Sequence, residues 1–381
     1  MPNLEHYRGG REQGYIKHAL IEKYLIPFTI KVGSKWDEIA FVDAFAGPWG
    51  AKTEDLSDTS FGIALERLEA GLAQLHSKKG RSPRIRAFLI EKDQEAFGKL
   101  DAYVEKRPSK GIEVKCFHGE FEAVAPELGK EIDSNRCFLF SLIDPKGWTG
   151  LSMKVIAPLI RRRSSEVLVN VMTDFVRRFA KVEQCRESYE DFFGRPGVRD
   201  IIAKAPSDER QDVVVREYCR SLREQCDFRY VSSCVVLQPD KKGVKYFMVF
   251  ATNNPMGIKV FKEAESHAAS LQDELKFERE FGENLPLFAS DAIAPVSESL
   301  RQKYRNLAFR RVGEMFSDRV EVPYDDVFCK AMAIPLVTQQ ELNNFLASHP
   351  DFKIKLAGTR RKKPIILKGD RVVKKQGNHH N

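Results

Sequence analysis

No two cysteines in this sequence are spaced C-x-x-C, and the seven present stand apart at 116, 137, 185, 219, 226, 234 and 329. That scatter supports neither a zinc site nor a disulfide framework, and the thiols read as reduced and mostly buried. There is no run of about 18 uncharged apolar residues, so no membrane span is expected. The opening residues, MPNLEHYRGGREQG, carry charges without an apolar stretch behind them, so no secretory signal is expected. These absences point to a cytoplasmic chain without a metal site.

What is present is the composition of a globular protein. The 381 residues are 42% hydrophobic and 10% aromatic, enough for one large or two moderate domains with proper cores. The formal net charge of +8 is concentrated at one end. Residues 359–375, TRRKKPIILKGDRVVKK, hold eight basic residues against one acid, which leaves the remainder near neutral. A local cluster of this kind suits contact with a polyanion; a solubilising tail is the plainer alternative.

The chain is organised around residues 38–50, EIAFVDAFAGPWG. Ile39 to Val42 form a buried-strand run, closed by Asp43 and followed by a turn of small residues. A strand that ends in an acid and opens into a glycine loop places a ligand at the carboxyl edge of a sheet. The loop is not G-x-G-x-x-G, so a dinucleotide is disfavoured. S-adenosylmethionine (SAM), which has no phosphate to cradle, fits better. An ordinary strand followed by a Gly-Pro turn is the plain alternative.

Residues 13–32 precede this strand with apolar positions recurring at three and four, the mark of a helix. Lys17, His18 and Lys23 fall on its other faces, and His18 reads as a solvated surface residue. After the loop, 61–75 is an amphipathic helix. Strands follow at 84–90, closed by Glu91, and at 112–117, running on to Glu120. The most apolar strand, 138–143, ends in Asp144-Pro145-Lys146-Gly147-Trp148, and a fifth lies at 167–171. Residues 174–226 form a charged helical insertion, broken at Gly194 to Gly197. Segments 230–237 and 246–251 pair as a hairpin across 239–243. Five strands alternating with helices, then an antiparallel pair, form an α/β, Rossmann-like class I methyltransferase sheet with a terminal antiparallel strand. Asp43, Glu91, Glu120 and Asp144 stand at four successive strand ends.

Residues 285–297 are short on charge and read as a linker. Helices are expected at 300–315 and 324–333. Another begins at Thr338, with Glu341 three residues on as a capping box. Strand-like runs at 352–356 and 365–367 flank a basic loop. This order is that of a winged-helix module, with Arg360, Arg361, Lys362 and Lys363 as the nucleic-acid-binding wing. The expected organisation is an N-terminal helix over 1–35, a methyltransferase-like domain over 36–283, a linker over 284–298 and a winged-helix-like basic domain over 299–381.

The segments IKHALIEKYL, FVDAFAGPWG, FLIEKD, LIDPKGWTGL, EVLVNVMTDFVRRF and YFMVFATNNPMGIKVFKEA together resemble the three-Cys-motif partner protein (TcmP) family. The resemblance spans roughly residues 13–268. It implies a methyltransferase-like protein paired with a separate radical-SAM-like protein that carries the three cysteines. It further implies that Asp43, Phe45, Ala46, Gly47 and Pro48 line the methionine end of SAM. Glu91, with Lys92 beside it, would take the ribose, and Glu120 the adenine side. Asp144, Pro145 and Lys146 would face the transfer site. Two features depart from the pattern: Gly-Pro-Trp-Gly in the loop, and Lys146 where an aromatic is usual. Asp-Pro-Lys-Gly-Trp is also not the Asp-Pro-Pro-Tyr by which amino-methyltransferases hold an exocyclic amine. Two functions remain open, methyl transfer to DNA or RNA and a non-catalytic scaffold that docks a partner enzyme and binds nucleic acid.

Overall fold

The computed structural model describes residues 4–8, 11–48, 51, 53, 56–108, 110–132, 136–148, 150–238, 243–281, 298–358 and 361–375. The linker expected at 285–297, the hairpin tip at 239–242, Trp49, Gly50 and Arg360 lie outside the described residues.

Helix α1 (Glu12–Gly33) buries Ile16, Leu20, Ile21, Tyr24, Leu25 and Phe28, the stripe its spacing predicts. It feeds strand β1 (Glu38–Asp43), whose residues from Ile39 to Val42 are fully buried. Strands β2 (Arg84–Glu91), β3 (Ile112–His118), β4 (Cys137–Ile143) and β5 (Ser165–Val171) run parallel to β1. The hairpin β6 (Tyr230–Leu237) and β7 (Val244–Thr252) completes the sheet, with β7 antiparallel to β5. The strand order β3-β2-β1-β4-β5-β7-β6 is that of the expected class I methyltransferase sheet. Parallel strands buried on both faces read as unbroken apolar runs, which is why their positions were legible.

Helices α2 (Ser60–Lys79), α3 (Gln94–Lys106), α4 (Phe121–Glu131) and α5 (Met153–Ile160) make the crossovers. The order in which strands are added reverses between β1 and β4, so the two neighbouring carboxyl ends open into a crevice there. The insertion comprises α6 (Thr173–Phe179), α7 (Arg186–Phe193), α8 (Val198–Lys204) and α9 (Arg210–Cys226). Its break falls where Gly194 and Gly197 adopt φ of 62° and 73°, a region open to glycine at little cost. The long helix α10 (Pro255–Phe281) then packs on α1.

Beyond residue 297 come α11 (Glu298–Glu314), β8 (Glu321–Pro323), α12 (Tyr324–Met332), α13 (Gln339–Ser348), β9 (Phe352–Lys355) and β10 (Arg371–Lys374). The capping box is formed, with Thr338 accepting from the Glu341 amide and Glu341 accepting from Thr338. One expectation is corrected: no strand runs at 365–367, where a turn over 366–369 begins, and the strand paired with β9 is β10. Leu367 has a φ of 59°, which extended pairing does not allow. These three short strands make a second antiparallel sheet ordered β8-β10-β9.

The C-terminal segment covers the β6 edge of the large sheet. Ser232 Oγ donates to the Met332 carbonyl at 2.6 Å, Lys262 Nζ to the Ile334 carbonyl at 3.0 Å, and the Leu336 amide to Glu265 Oε1 at 2.9 Å. Among the described residues, no helix is long and apolar enough to cross a membrane. All seven cysteines are free, five of them buried.

Candidate functional site

Asp43 sits at the carboxyl end of β1 and is fully buried. Its Oδ1 accepts the Phe45 amide at 3.1 Å, and its Oδ2 accepts the Ser60 hydroxyl at 3.0 Å. Burial pushes its carboxyl up to about 6; the two donors oppose that shift, the Asp144 charge adds to it and Lys17 opposes it. The residues registered with Asp43 are Leu89 of β2 and Leu142 of β4. Glu91 and Asp144 each lie two residues further on, so the three acids gather at one edge by the period of a strand.

The loop after Asp43 is less open than a glycine turn suggests. The Ala44 amide donates to Leu142, the Phe45 amide to Asp43 and the Ala46 amide to Ile90. Any loop amide offered to a ligand therefore comes from Gly47 or Pro48 onward, and proline has none. Phe45 is half-buried, with its ring 6.1 Å from that of Phe121.

Glu91 is buried, and its Oε1 accepts the Asp93 amide at 2.7 Å. That bond shapes the turn into α3, whose N-cap is Asp93. Lys92 and Glu120 point outward and pair with each other at 3.5 Å, an exposed contact of little energetic weight. Glu120 thus stands at the rim and Glu91 within.

Asp144 is held on both oxygens. Lys17 of α1 forms an ion pair with Oδ2, and Asn170 at the end of β5 donates to Oδ1 at 2.7 Å. Sequence reasoning assigned no role to Lys17 or Asn170, because only the fold sets them beside Asp144. Pro145 is buried, whereas Lys146 is exposed and directed away from the interior. Trp148 packs on the insertion, donating to Ser188 Oγ at 3.4 Å with its ring 5.2 Å from Phe179 and 5.7 Å from Tyr189. Tyr246 closes the far side, its hydroxyl donating to the Gln13 carbonyl at 2.7 Å. Among the buried side-chain oxygens without a hydrogen-bond partner in these elements are Gln13 Oε1, Asn170 Oδ1 and Thr173 Oγ1. Unpaired buried polar atoms are costly and uncommon, so this end of the sheet is suited to a polar ligand.

His18 is corrected from surface to interior. Its Nδ1 lies 2.7 Å from the Tyr7 hydroxyl, which donates in turn to the Asp58 carbonyl at 3.0 Å. Burial, with the Lys17 and Arg11 charges adding to it, holds the ring well below its ordinary pKa, so it is neutral. The covering Tyr7 lies on a 3-10 turn whose contact with α1 the helical pattern does not announce.

In the basic loop, Lys362 and Lys363 are exposed. Arg361 is committed: it makes a bidentate contact with Asp370, at 2.7 and 2.8 Å. Asp370 also accepts the amides of Ala357 and Ile365, both at 2.8 Å, so this fully buried carboxylate knits the loop together. Burial works against its charge, yet Arg361 and the two amides outweigh that and hold Asp370 below the usual carboxylate range. Among the described residues, no group of His, Cys, Asp and Glu suits a metal ion.

No protein-family model and no curated protein matches the chain. Solved structures similar to it include a Legionella pneumophila protein of family DUF519, at 13% identity over 69% of this chain and 92% of that one, TM-score 0.38. A Thermobifida fusca protein assigned as a methyltransferase shares 11% identity over 65% and 84%, TM-score 0.32. Loganic acid methyltransferase, solved with S-adenosylhomocysteine, shares 10% over 97% and 95%, TM-score 0.30. Likeness at this level is loose.

Proposed function

We propose that this chain is a SAM-dependent methyltransferase-like protein acting on nucleic acid, and that it works beside a radical-SAM-like partner carrying three cysteines. The observation that carries the cofactor assignment is the gathering of Asp43, Glu91 and Asp144 at the carboxyl edge of a sheet ordered β3-β2-β1-β4-β5-β7-β6. The bound group supplies an electrophilic methyl. Asp43, buried and held by two donors, offers a carboxylate that a cationic amine would fully ionise, and Glu91 offers hydroxyl recognition.

On the acceptor side, Asp144 accepts hydrogen bonds and Lys17 donates them. An acceptor and a donor side by side match the polar edge of a base, and Asn170 fixes the carboxylate that would orient it. A cation near a sulfonium would ordinarily repel it, but Lys17 is neutralised by its own partner.

The polyanion contact rests on the C-terminal segment. A helix, a short strand, two helices and a hairpin, with β10 between β8 and β9, support a winged-helix reading. In that reading α13 presents the exposed Gln340 and Asn344 to duplex, and Lys362 and Lys363 lie on the wing. The TcmP resemblance alone supports the three-cysteine partner.

The scaffold reading has one observation in its favour: both Asp144 oxygens are already engaged. A single-turnover assay with tritiated SAM and mixed nucleic acid separates the two. Label in the nucleic acid supports transfer, while retained SAM binding without label supports the scaffold.

A further inference from the structure

Two cavities adjoin on the side of the molecule away from α1. The larger, about 610 Å³, opens between α9 and α11, with Ser233 and Phe247 of the sheet in its wall. Arg216 and Arg223 reach it from α9, seven residues and two helical turns apart, and Arg310 and Arg311 from α11. Of the three acids that line it, Glu209, Asp212 and Glu314, two have basic partners. Asp212 is held by Lys303 at 2.6 Å and Tyr304 at 2.8 Å, and Glu314 lies 3.9 Å from Arg310. Glu217, the partner of Arg216 at 3.2 Å, is shared with Arg195 at 2.8 Å.

Among the described residues Arg223 donates to the carbonyls of Cys219 and Val231, neither of which carries a charge. Burial, then the charges of Arg216 and Arg223, pull the half-buried Arg311 below its ordinary pKa. Lys330 of α12 is lowered in the same way, by burial and then by Arg311 and Arg223. Four like charges held together against their own repulsion are stabilised when an anion enters.

The smaller cavity, about 360 Å³, meets the larger one at Arg310, which lines both. Its walls are aromatic. Phe309 and Phe345 stack at 4.2 Å with ring planes 8° apart, both partly buried, and His349 lies 5.0 Å from Phe345. Lys374 stands at its rim. A row of cations ending in a partly open aromatic pair is the chemistry of strand recognition, in which phosphates meet the charges and a base adds to the stack. Base pairs in a duplex are already stacked on one another and cannot enter such a pocket.

We propose that the cleft between α9 and α11, together with the Phe309–Phe345 pocket, forms one groove that binds an unpaired nucleic-acid segment, with its phosphates on Arg216, Arg223 and Arg311 and a base on the aromatic pair. This rests on the reading of the protein as one that acts on nucleic acid, and it adds that the target is presented single-stranded beside any duplex held by the wing.

The test is fluorescence anisotropy on the full chain with a labelled 12-nucleotide single strand and its duplex across a salt series. Arg311→Gln is expected to weaken single-strand binding and lower the magnitude of the salt slope by about 0.7, the value of one phosphate contact. Arg223→Gln with Arg311→Gln should lower it by about 1.4 on the same scale. Phe309→Ala should weaken single-strand binding by roughly 5- to 150-fold at every salt concentration, the stacking contribution of one base. Lys362→Ala with Lys363→Ala should reduce duplex binding and spare the single strand. Removing a mutually repelled charge should leave the thermal midpoint of Arg311→Gln unchanged or raised, so a folding failure does not obscure the result. Duplex binding through the wing with single-strand affinity unchanged in all three groove variants overturns the groove and leaves the wider reading standing. No binding of either strand form overturns the nucleic-acid reading itself. If ATP binds as tightly as the 12-mer and is lost in the same variants, the groove holds a free nucleotide and the strand proposal falls.

Discussion

Lys17 of α1 and Asp144 beyond β4, 127 positions apart in the chain, form an ion pair whose side chains are only 15% and 14% exposed. The first helix therefore supplies part of the site in addition to covering the sheet. Removing one partner of such a pair strands the other charge. Lys17→Met should destabilise the fold by about 2 kcal/mol, below the 3–5 of a fully buried pair because water still reaches it. It should abolish label transfer while SAM binding persists, as read by denaturant unfolding, single turnover and calorimetry on one preparation. Transfer at the wild-type rate would show that the pair serves stability alone.

Asp43→Ala should eliminate SAM binding, because no other group replaces a fully buried carboxylate at the end of β1. Glu91→Ala should weaken it by about 1–3 kcal/mol, the usual cost of leaving a buried polar partner unmatched. Isothermal calorimetry at millimolar ligand measures both, and no heat from the wild-type protein would sink the cofactor assignment.

Stability should fall as pH rises from about 4.5 to 7. Glu166 is buried, accepts from Tyr24 at 2.5 Å and Thr252 at 2.8 Å, and is pushed by burial up to about 7 from 4.5. The unfolded chain releases this proton at the lower pH, so the folded state binds more protons across that window and loses up to about 3 kcal/mol by its upper end. Asp43 adds in the same direction up to about 6. Urea midpoints across pH check this, and Glu166→Gln should flatten the profile.

The wing should separate into a structural and a binding component. Arg361→Ala leaves the buried Asp370 without its charged partner, with only the Ala357 and Ile365 amides to hold it, which should lower the stability of the C-terminal segment. Because Asp370 is held below its usual range, its stabilising contribution should also be lost as pH falls through that lowered value. Lys362→Ala with Lys363→Ala should leave stability within about 0.5 kcal/mol. It should lower the magnitude of the duplex salt slope by about 1.8, at 0.9 per contact. An unchanged slope would reduce these lysines to a solubilising role.

The central sheet was readable because each parallel strand is a continuous apolar run, and its acids because they end those runs. Lys17 and Asn170 were not, since each acquires its partner Asp144 from chain crossing, nor was the neutral His18, which is covered by Tyr7 of the preceding turn. The error at 365–367 has a local cause. Three apolar residues suggested a strand, yet Leu367 turns back through positive φ, and the true strand pairs with β8, only three residues long. The commitment of Arg361 was equally hidden, because basic composition does not tell a paired charge from a free one.

Strand β6 lies at the end of the large sheet, buried along its whole length by α9, α10 and the segment that follows residue 297. Cutting the chain there would not release a soluble catalytic fragment. It would strip Ser232 and Lys262 of their carbonyl partners, uncover the edge of β6 that faces away from β7 and invite one copy to pair with the next. Expressed alone, the first part of this protein should precipitate, and the tail acts as its built-in guard against aggregation.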